Sequence, residues 1–179
     1  TTVNDILDLA TVDAGIMDLE MDEVDVAVLF ASVEQSFAGR FAEAGVELKT
    51  AVASGITNFK ADGQRLRQVI GNLISNAVNH APEGSAVNLS AKLDGSDVVI
   101  SIQDEGPGIP SDVLASVFDR FVAHGNGRRR GGAGLGLSIV KGLVELHKGS
   151  VSIQSNAESG TRVDCRFPAD PAKFRQAAE

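Results

Sequence analysis

The sequence predicts an α+β fold: a two-layer α/β sandwich whose mixed, mostly antiparallel sheet is packed on one face by helices. Three observations predict it. Apolar residues recur at helical spacing in several segments, and strictly alternating segments lie between them. Short turn signals join the alternating segments into antiparallel hairpins rather than into the crossovers of a doubly wound parallel sheet. No repeat or low-complexity stretch interrupts this order.

Ile6, Leu9, Val12 and Ile16 fall at roughly helical spacing, with Gly15 as a natural stop. The acidic stretch that follows, LEMDEVDV, reads as a linker and a short strand. A second helix is expected over residues 26–42, ending at Gly45, and VELKTAVA and ITNFKA read as two strands separated by Ser54-Gly55. Asp62 is a good N-cap for a helix running to about His80 and stopped by Pro82. Val87, Leu89, Ala91 and Leu93 alternate, as do Val98, Ile100 and Ile102, and Asp94-Gly95 between them is a strong hairpin signal. A short helix follows DEGPGIP, then a glycine-rich stretch, then a well-patterned helix over about residues 135–147. VSIQS turns through NAESG into TRVDCRF as a last hairpin, and the chain after Pro168 is a short helix at best.

With 179 residues the chain supports one sizeable core, and 43% hydrophobic against 22% charged residues is the balance of a globular protein. Its apolar runs are too short to cross a bilayer, and no secretory leader opens it. It starts as though inside a helix already under way, so a piece of a longer protein is expected. A net charge of -8 argues against a nucleic-acid surface, and the one basic cluster, Arg128-Arg129-Arg130, sits among glycines. A single cysteine, Cys165, excludes an internal disulfide. It alternates with Val163 and Phe167, which fits a buried strand residue better than a nucleophile.

Three segments carry chemistry. On the helix RLRQVIGNLISNAVNHAP, one face is apolar while Gln68, Asn72, Asn76 and Asn79 line another. A solvated face would carry Lys and Glu, and each interior Asn costs roughly half a kcal/mol against Ala. The carboxamides therefore suit either a ligand, with oxygens for a cation and amides for phosphate, or bonds to neighbouring backbone. Asp104 ends a strand and precedes Gly106 and Gly108, which fits recognition of a base edge or a tight surface turn. Six glycines between Gly125 and Gly136 lead into a helix N-terminus. They lack the end of a Walker loop and the dinucleotide spacing. A phosphate-covering lid is preferred over a mobile linker.

The order of these segments is similar to that of the GHKL (Bergerat-type) ATP-binding domain of sensor histidine kinases. Asn72-x-x-x-Asn76 resembles the N box, Asp104-x-Gly106-x-Gly108 the G1 box, and Val117-Phe118-Asp119-Arg120-Phe121 the F box. Gly132-x-Gly134-Leu135-Gly136-Leu137 resembles the G2 box and Gly160-Thr161 the G3 signature, while DILDLATVDAG resembles the end of a dimerisation helix. The resemblance implies a Bergerat sandwich with ATP and Mg²⁺ held between helices and lid. Asn76 would hold the metal and Asn72 would assist. Asp104 would bind the adenine amine, with Gly106, Gly108, Ile109 and Thr161 shaping its pocket. Backbone of Gly132, Gly134, Leu135, Gly136 and Leu137 would wrap the phosphates. Phe118 and Phe121 would anchor the lid or simply pack in the core, and Arg120 would reach phosphate or pair on the surface.

Two positions depart from the family pattern. Asn79 stands where a phosphate-contacting Lys or Arg is common, and His80 where an aromatic beside the adenine is usual. They keep open a degenerate module that acts by docking. Related hydrolases place a general-base Glu where this chain has Asn72, which favours transfer to a protein over transfer to water. None of His80, His124 and His147 lies in an acceptor context, and His147 reads as a helix-terminating cation. The implied organisation is the end of a phosphoacceptor dimerisation helix over residues 1–18, a linker over 19–24, the catalytic domain over 25–169 and a tail over 170–179. The implied partners are ATP, an acceptor helix of the same or a partner chain, and a response regulator. No nucleic-acid or membrane contact is expected of this piece. Its expected setting is cytoplasmic, within a homodimeric parent that an inner-membrane anchor would suit.

Overall fold

The computed structural model describes residues 2–120 and 134–169. The elements run α1 (Thr2–Asp13), β1 (Asp22–Asp25), α2 (Val26–Ala44), β2 (Glu47–Val52), β3 (Asn58–Ala61), α3 (Gly63–His80), β4 (Ala86–Asp94), β5 (Asp97–Asp104), α4 (Ser111–Leu114), α5 (Gly136–Leu146), β6 (Ser150–Asn156) and β7 (Gly160–Pro168). Capping residues set these limits. Asp25 accepts from the Val28 amide at 2.9 Å, and Gly45, at φ 64°, closes α2 in the left-handed region where a side chain is disfavoured. Asp62 Oδ1 accepts from the amides of Gln64 and Arg65, both at 3.0 Å, at the start of α3. Gly15, at φ 64°, follows the end of α1, so Ile16 lies outside the helix and is exposed.

The main sheet has the order β2-β4-β5-β7-β6, with β2 parallel to β4 and every other pair antiparallel. β3 does not join it. It pairs antiparallel with β1 in a separate two-stranded sheet, Val24 opposite Phe59. In the β4–β5 hairpin Asp94 is the last paired residue, opposite Asp97, so the loop is Gly95-Ser96 rather than Asp94-Gly95. Gly95 takes φ 64° and Ser96 does not share a positive φ, the pattern of a turn with glycine at its first central position.

One sheet face packs on helices. Val98, Ile100 and Ile102 of β5 join Leu89, Ala91, Cys165 and Phe167 in a core with Leu66, Ile70, Ile74, Ile139 and Leu143. The other face carries arginine–carboxylate pairs. Arg162 bonds Asp164 and donates to Ser101 Oγ at 3.1 Å, while Arg166 pairs with Asp94 and Asp97. Burial pushes the Cys165 thiol up to about 12, so at neutral pH it is a protonated core side chain.

α1 packs on α3 and α5. Asp8 accepts from Arg65 Nη1 at 3.0 Å and from Gln68 Nε2 at 2.7 Å, and Val12 rests where a Cβ on Gly142 would lie 2.7 Å away. His147 overturns the expectation of a terminal cation. It is 2% exposed, Nδ1 bonds the Leu143 carbonyl at 2.8 Å, and Nε2 accepts from the Asp62 amide at 3.1 Å. An amide can only donate, so Nε2 carries no proton and Nδ1 carries the hydrogen. The imidazole is neutral, set edge-on to Phe167, and burial holds it below its ordinary pKa. A polar ring with both nitrogens satisfied is cheaper to bury than a cation.

No helix among the described residues is long and apolar enough to cross a membrane. Phe121, His124, the arginine cluster, Gly132 and the 170–179 tail lie outside the described residues.

Candidate functional site

The apolar stripe of α3, from Leu66 through Val69, Ile70, Leu73, Ile74 and Ala77 to Val78, faces the core and thereby turns the carboxamides outward. The structure divides those carboxamides among three neighbours. Gln68 is taken by Asp8 of α1 and also accepts from Arg65 at 2.9 Å, so it belongs to the helix contact. Asn72 and Asn76 face the start of α5: a Cβ built on Gly136 would lie 3.9 Å from Asn72 Cγ and 3.9 Å from Asn76 Nδ2. Asn79 is held by α2, where Arg40 donates from Nη2 to Asn79 Oδ1 at 2.8 Å and from Nη1 to Ser75 Oγ at 2.9 Å.

Asn72 Nδ2 is buried and has no hydrogen-bond partner among the described residues. A buried amide donor left unpaired costs about 1–3 kcal/mol, which singles this atom out within an otherwise well-satisfied interior.

One turn beyond Asn76, α3 ends at His80 beside the mouth of β5. Asp104 is buried there, and both its hydrogen bonds among the described residues go to Oδ1, from the Gly106 amide at 2.8 Å and the Thr161 amide at 3.3 Å. Burial is the largest influence on this carboxyl and raises its pKa; the two amides and His80 pull the other way. Backbone crowds around it. A Cβ on Gly106 would lie 2.8 Å from Asp104 Oδ1 and 3.0 Å from the His80 carbonyl oxygen. One on Gly160 would meet the Asp104 carbonyl oxygen at 2.1 Å, and one on Gly108 the Asn156 carbonyl oxygen at 2.4 Å. Glycine is required at the last two, since both also take positive φ. Ile109 is fixed by its amide, which donates to Ser155 Oγ at 2.8 Å, and Ser155 in turn bonds Thr161 Oγ1 at 2.8 Å.

Leu135 is buried, and Leu137 packs against the core, so this segment offers backbone rather than side chains to the space beside Asn72. Gly134, at φ 69°, makes the turn into it. Val117 is buried and Phe118 half-buried after α4, while Arg120 is exposed.

The structure thus gathers Asn72, Asn76 and Gly136 at one end of the face, and His80, Asp104, Gly106 and Thr161 at the other, with α3 spanning both. Three participants escaped the sequence reading. Arg40 carried no local signal, being a lone cation on an otherwise ordinary helix. Ser155 looked like any exposed strand serine. Asp8 lies in a segment whose apolar spacing and likeness to a dimerisation helix say nothing of a bond to α3.

Residues 61–171 match the family described as Histidine kinase-, DNA gyrase B-, and HSP90-like ATPase. The chain is 38% identical over 167 residues to the sensor protein DivL of Caulobacter vibrioides, covering 93% of this chain and 21% of that protein. It is 32% identical over 166 residues to the alginate biosynthesis sensor protein KinB of Pseudomonas aeruginosa, covering 93% and 28% respectively. Among solved structures it is similar to full-length ShkA in complex with AMPPNP, at TM-score 0.82 and 34% identity, covering 95% of this chain and 36% of that one. The histidine kinase AdeS of Acinetobacter baumannii shares the fold, at TM-score 0.79 and 24% identity, covering 93% and 76%. The chain spans roughly a fifth to a third of the length of the curated relatives it matches. The family match begins at the last residue of β3 and runs past the end of β7, taking in α3, β5, α5 and β7 but not Asp8 or Arg40. The chain belongs to the histidine kinase-, DNA gyrase B- and HSP90-like ATPase family, as a catalytic domain of the sensor histidine kinase type.

Proposed function

We propose that this domain binds Mg-ATP between α3, the end of β5 and the start of α5, and transfers the γ-phosphate to a histidine on a dimerisation helix. The observation that carries the reading is Asp104, a buried carboxylate with Oδ1 committed to backbone amides and Oδ2 left for a ligand. Oδ2 is not among the buried atoms without a partner, so it faces solvent-accessible space at the edge of the site, where the exocyclic amine of adenine is a fitting donor. Gly106, Gly108, Ile109 and Thr161 shape the base pocket around it, with His80 along its edge.

The phosphates lie toward Asn72, Asn76 and the start of α5. There the unpartnered Asn72 amide gains an acceptor, and the backbone of Gly134, Leu135, Gly136 and Leu137 supplies N–H donors at a helix N-terminus. Gly132 and Arg120 would extend that cover, and Asn79 adds a neutral donor. No trio of His, Cys, Asp or Glu able to hold a metal occurs among the described residues. A carboxamide oxygen from Asn76, completed by phosphate oxygens and water, fits the way magnesium is held in phosphate sites. Bound there, Mg²⁺ would neutralise charge developing on the transferred phosphoryl group. The protein's own part is positioning: Asn72 and Asn76 orient the phosphates, and a carboxamide at 72 leaves no general base to activate water.

Residues 1–18 are read as the end of the dimerisation helix, 19–24 as the linker, 25–169 as the catalytic domain and 170–179 as a tail. In that division the end of the dimerisation helix rests on the catalytic domain, since α1 packs on α3 and α5. The full-length parent is read as a homodimer on the cytoplasmic side, passing phosphate to a response regulator.

The test is a calorimetric titration with Mg-ATP, then incubation with labelled ATP and a histidine-bearing dimerisation domain. The reading expects saturable binding, a labelled acceptor domain, and an affinity loss of about tenfold or more in Asn76→Asp. Free phosphate without a labelled acceptor, or unchanged affinity in Asn76→Asp, would contradict it.

A further inference from the structure

At the C-terminal end of α3 the candidate phosphate wall is neutral: Asn72, Asn76 and Asn79 are all carboxamides. The guanidinium fixed against it comes from α2. Arg40 Nη2 donates to Asn79 Oδ1 at 2.8 Å and Nη1 to Ser75 Oγ at 2.9 Å, one helical turn apart. Both acceptors are uncharged, and Arg40 makes no ion pair among the described residues. Its positive charge therefore has no carboxylate within ion-pair distance among the described residues. It also stands exposed, at the rim rather than in the core.

The contact also settles the orientation of Asn79. A guanidinium has donors and no acceptor, so the Asn79 atom that meets it must be the carbonyl oxygen. The amide nitrogen, with its two hydrogens, is left on the other side of the group. Arg40 and Asn79 together present what a single cationic side chain would: hydrogen-bond donors from one residue and positive charge from the other. Neither element suffices alone, because a free Asn79 could turn its oxygen toward an anion and be repelled.

We propose that Arg40 is a specificity-determining residue for the nucleotide, holding Asn79 with its amide donors toward the terminal phosphate and supplying the charge that favours a triphosphate over a diphosphate. The inference rests on the nucleotide reading of the site. It differs from that reading in predicting an effect that depends on the last phosphate rather than on the base or the metal.

Calorimetric titration of the whole chain with Mg-ATP, Mg-ADP and adenosine tests it, in wild type, Arg40→Ala, and Arg40→Ala combined with Asn79→Lys. Arg40→Ala should weaken Mg-ATP about tenfold, the scale of one lost charge-assisted contact, and Mg-ADP by less than about threefold. Adenosine should be unaffected, and the double variant should regain most of the Mg-ATP affinity because the lysine replaces both functions. Thermal unfolding followed by circular dichroism should stay within a few degrees of wild type, since Arg40 is exposed. Equal losses for ATP and ADP, unchanged ATP affinity, or failure of Asn79→Lys to restore binding would overturn the proposal. Wild type that binds none of the three would overturn both this inference and the nucleotide reading. Wild type that binds normally with Arg40→Ala unchanged would remove this inference alone.

Discussion

Asp104 shows at the scale of one residue how a site departs from the rules that build the core around it. The pKa of its carboxyl is raised by burial, so the folded chain holds that proton to higher pH than an unfolded one would. As pH rises above the ordinary value of 3.8, ionisation of Asp104 therefore works against the fold. Asp104→Asn removes that charge, and a carboxamide oxygen still accepts from the Gly106 and Thr161 amides. The expected outcome at pH 7 is a urea midpoint equal to or above wild type, with Mg-ATP affinity reduced about tenfold or more. A variant that is destabilised yet binds nucleotide normally would make Asp104 a structural residue. The sequence disclosed the position of this carboxylate, at a strand end before two glycines. It did not disclose the burial, which comes from Gly160 and the end of α3 closing over it.

At the scale of elements, the helices were legible because their limits are written in local chemistry. Asp62, Gly45 and Pro82 each act within a turn of the residue they terminate. Pairing was less legible. ITNFKA alternates well enough to be read as a strand, yet nothing within it specifies that β3 joins β1 instead of the main sheet. Spacing places Gln68 and Asn79 on one face with Asn72 and Asn76, whereas their partners, Asp8 and Arg40, come from helices far away in sequence. The neutral state of His147 is hidden from local sequence for the same reason, since the Asp62 amide that it accepts from lies 85 residues away. That bond ties the end of α5 to the start of α3, the two helices that carry opposite walls of the site. Because burial depresses the His147 pKa, the folded chain binds a proton less readily than the unfolded one. Its contribution is present above the ordinary histidine value of about 6.5 and is lost as pH falls below it. Urea midpoints measured from pH 7.5 down to 5 should fall more steeply in wild type than in His147→Leu. That variant should itself be less stable at pH 7.5 by about 1–3 kcal/mol, for the unpaired Asp62 amide. Equal slopes in the two proteins would show that His147 is not the titrating joint.

For the whole molecule, the proposed site draws on segments scattered from α3 to β7, and the sheet order together with the helix packing brings its described residues close. β5 and β7 are neighbours, so Asp104 and Thr161 stand opposite each other in register. α3 and α5 pack side by side, so Asn72 and Asn76 look onto Gly136. The central claim is that the base end and the phosphate end are one binding site. Residue-resolved amide shifts during a titration with Mg-AMPPNP, which does not turn over, test it most directly. The account predicts that Asn72, Asn76, Gly106, Gly136 and Thr161 shift together and fit one dissociation constant. Shifts confined to one end, or two ends saturating at unrelated concentrations, would contradict it.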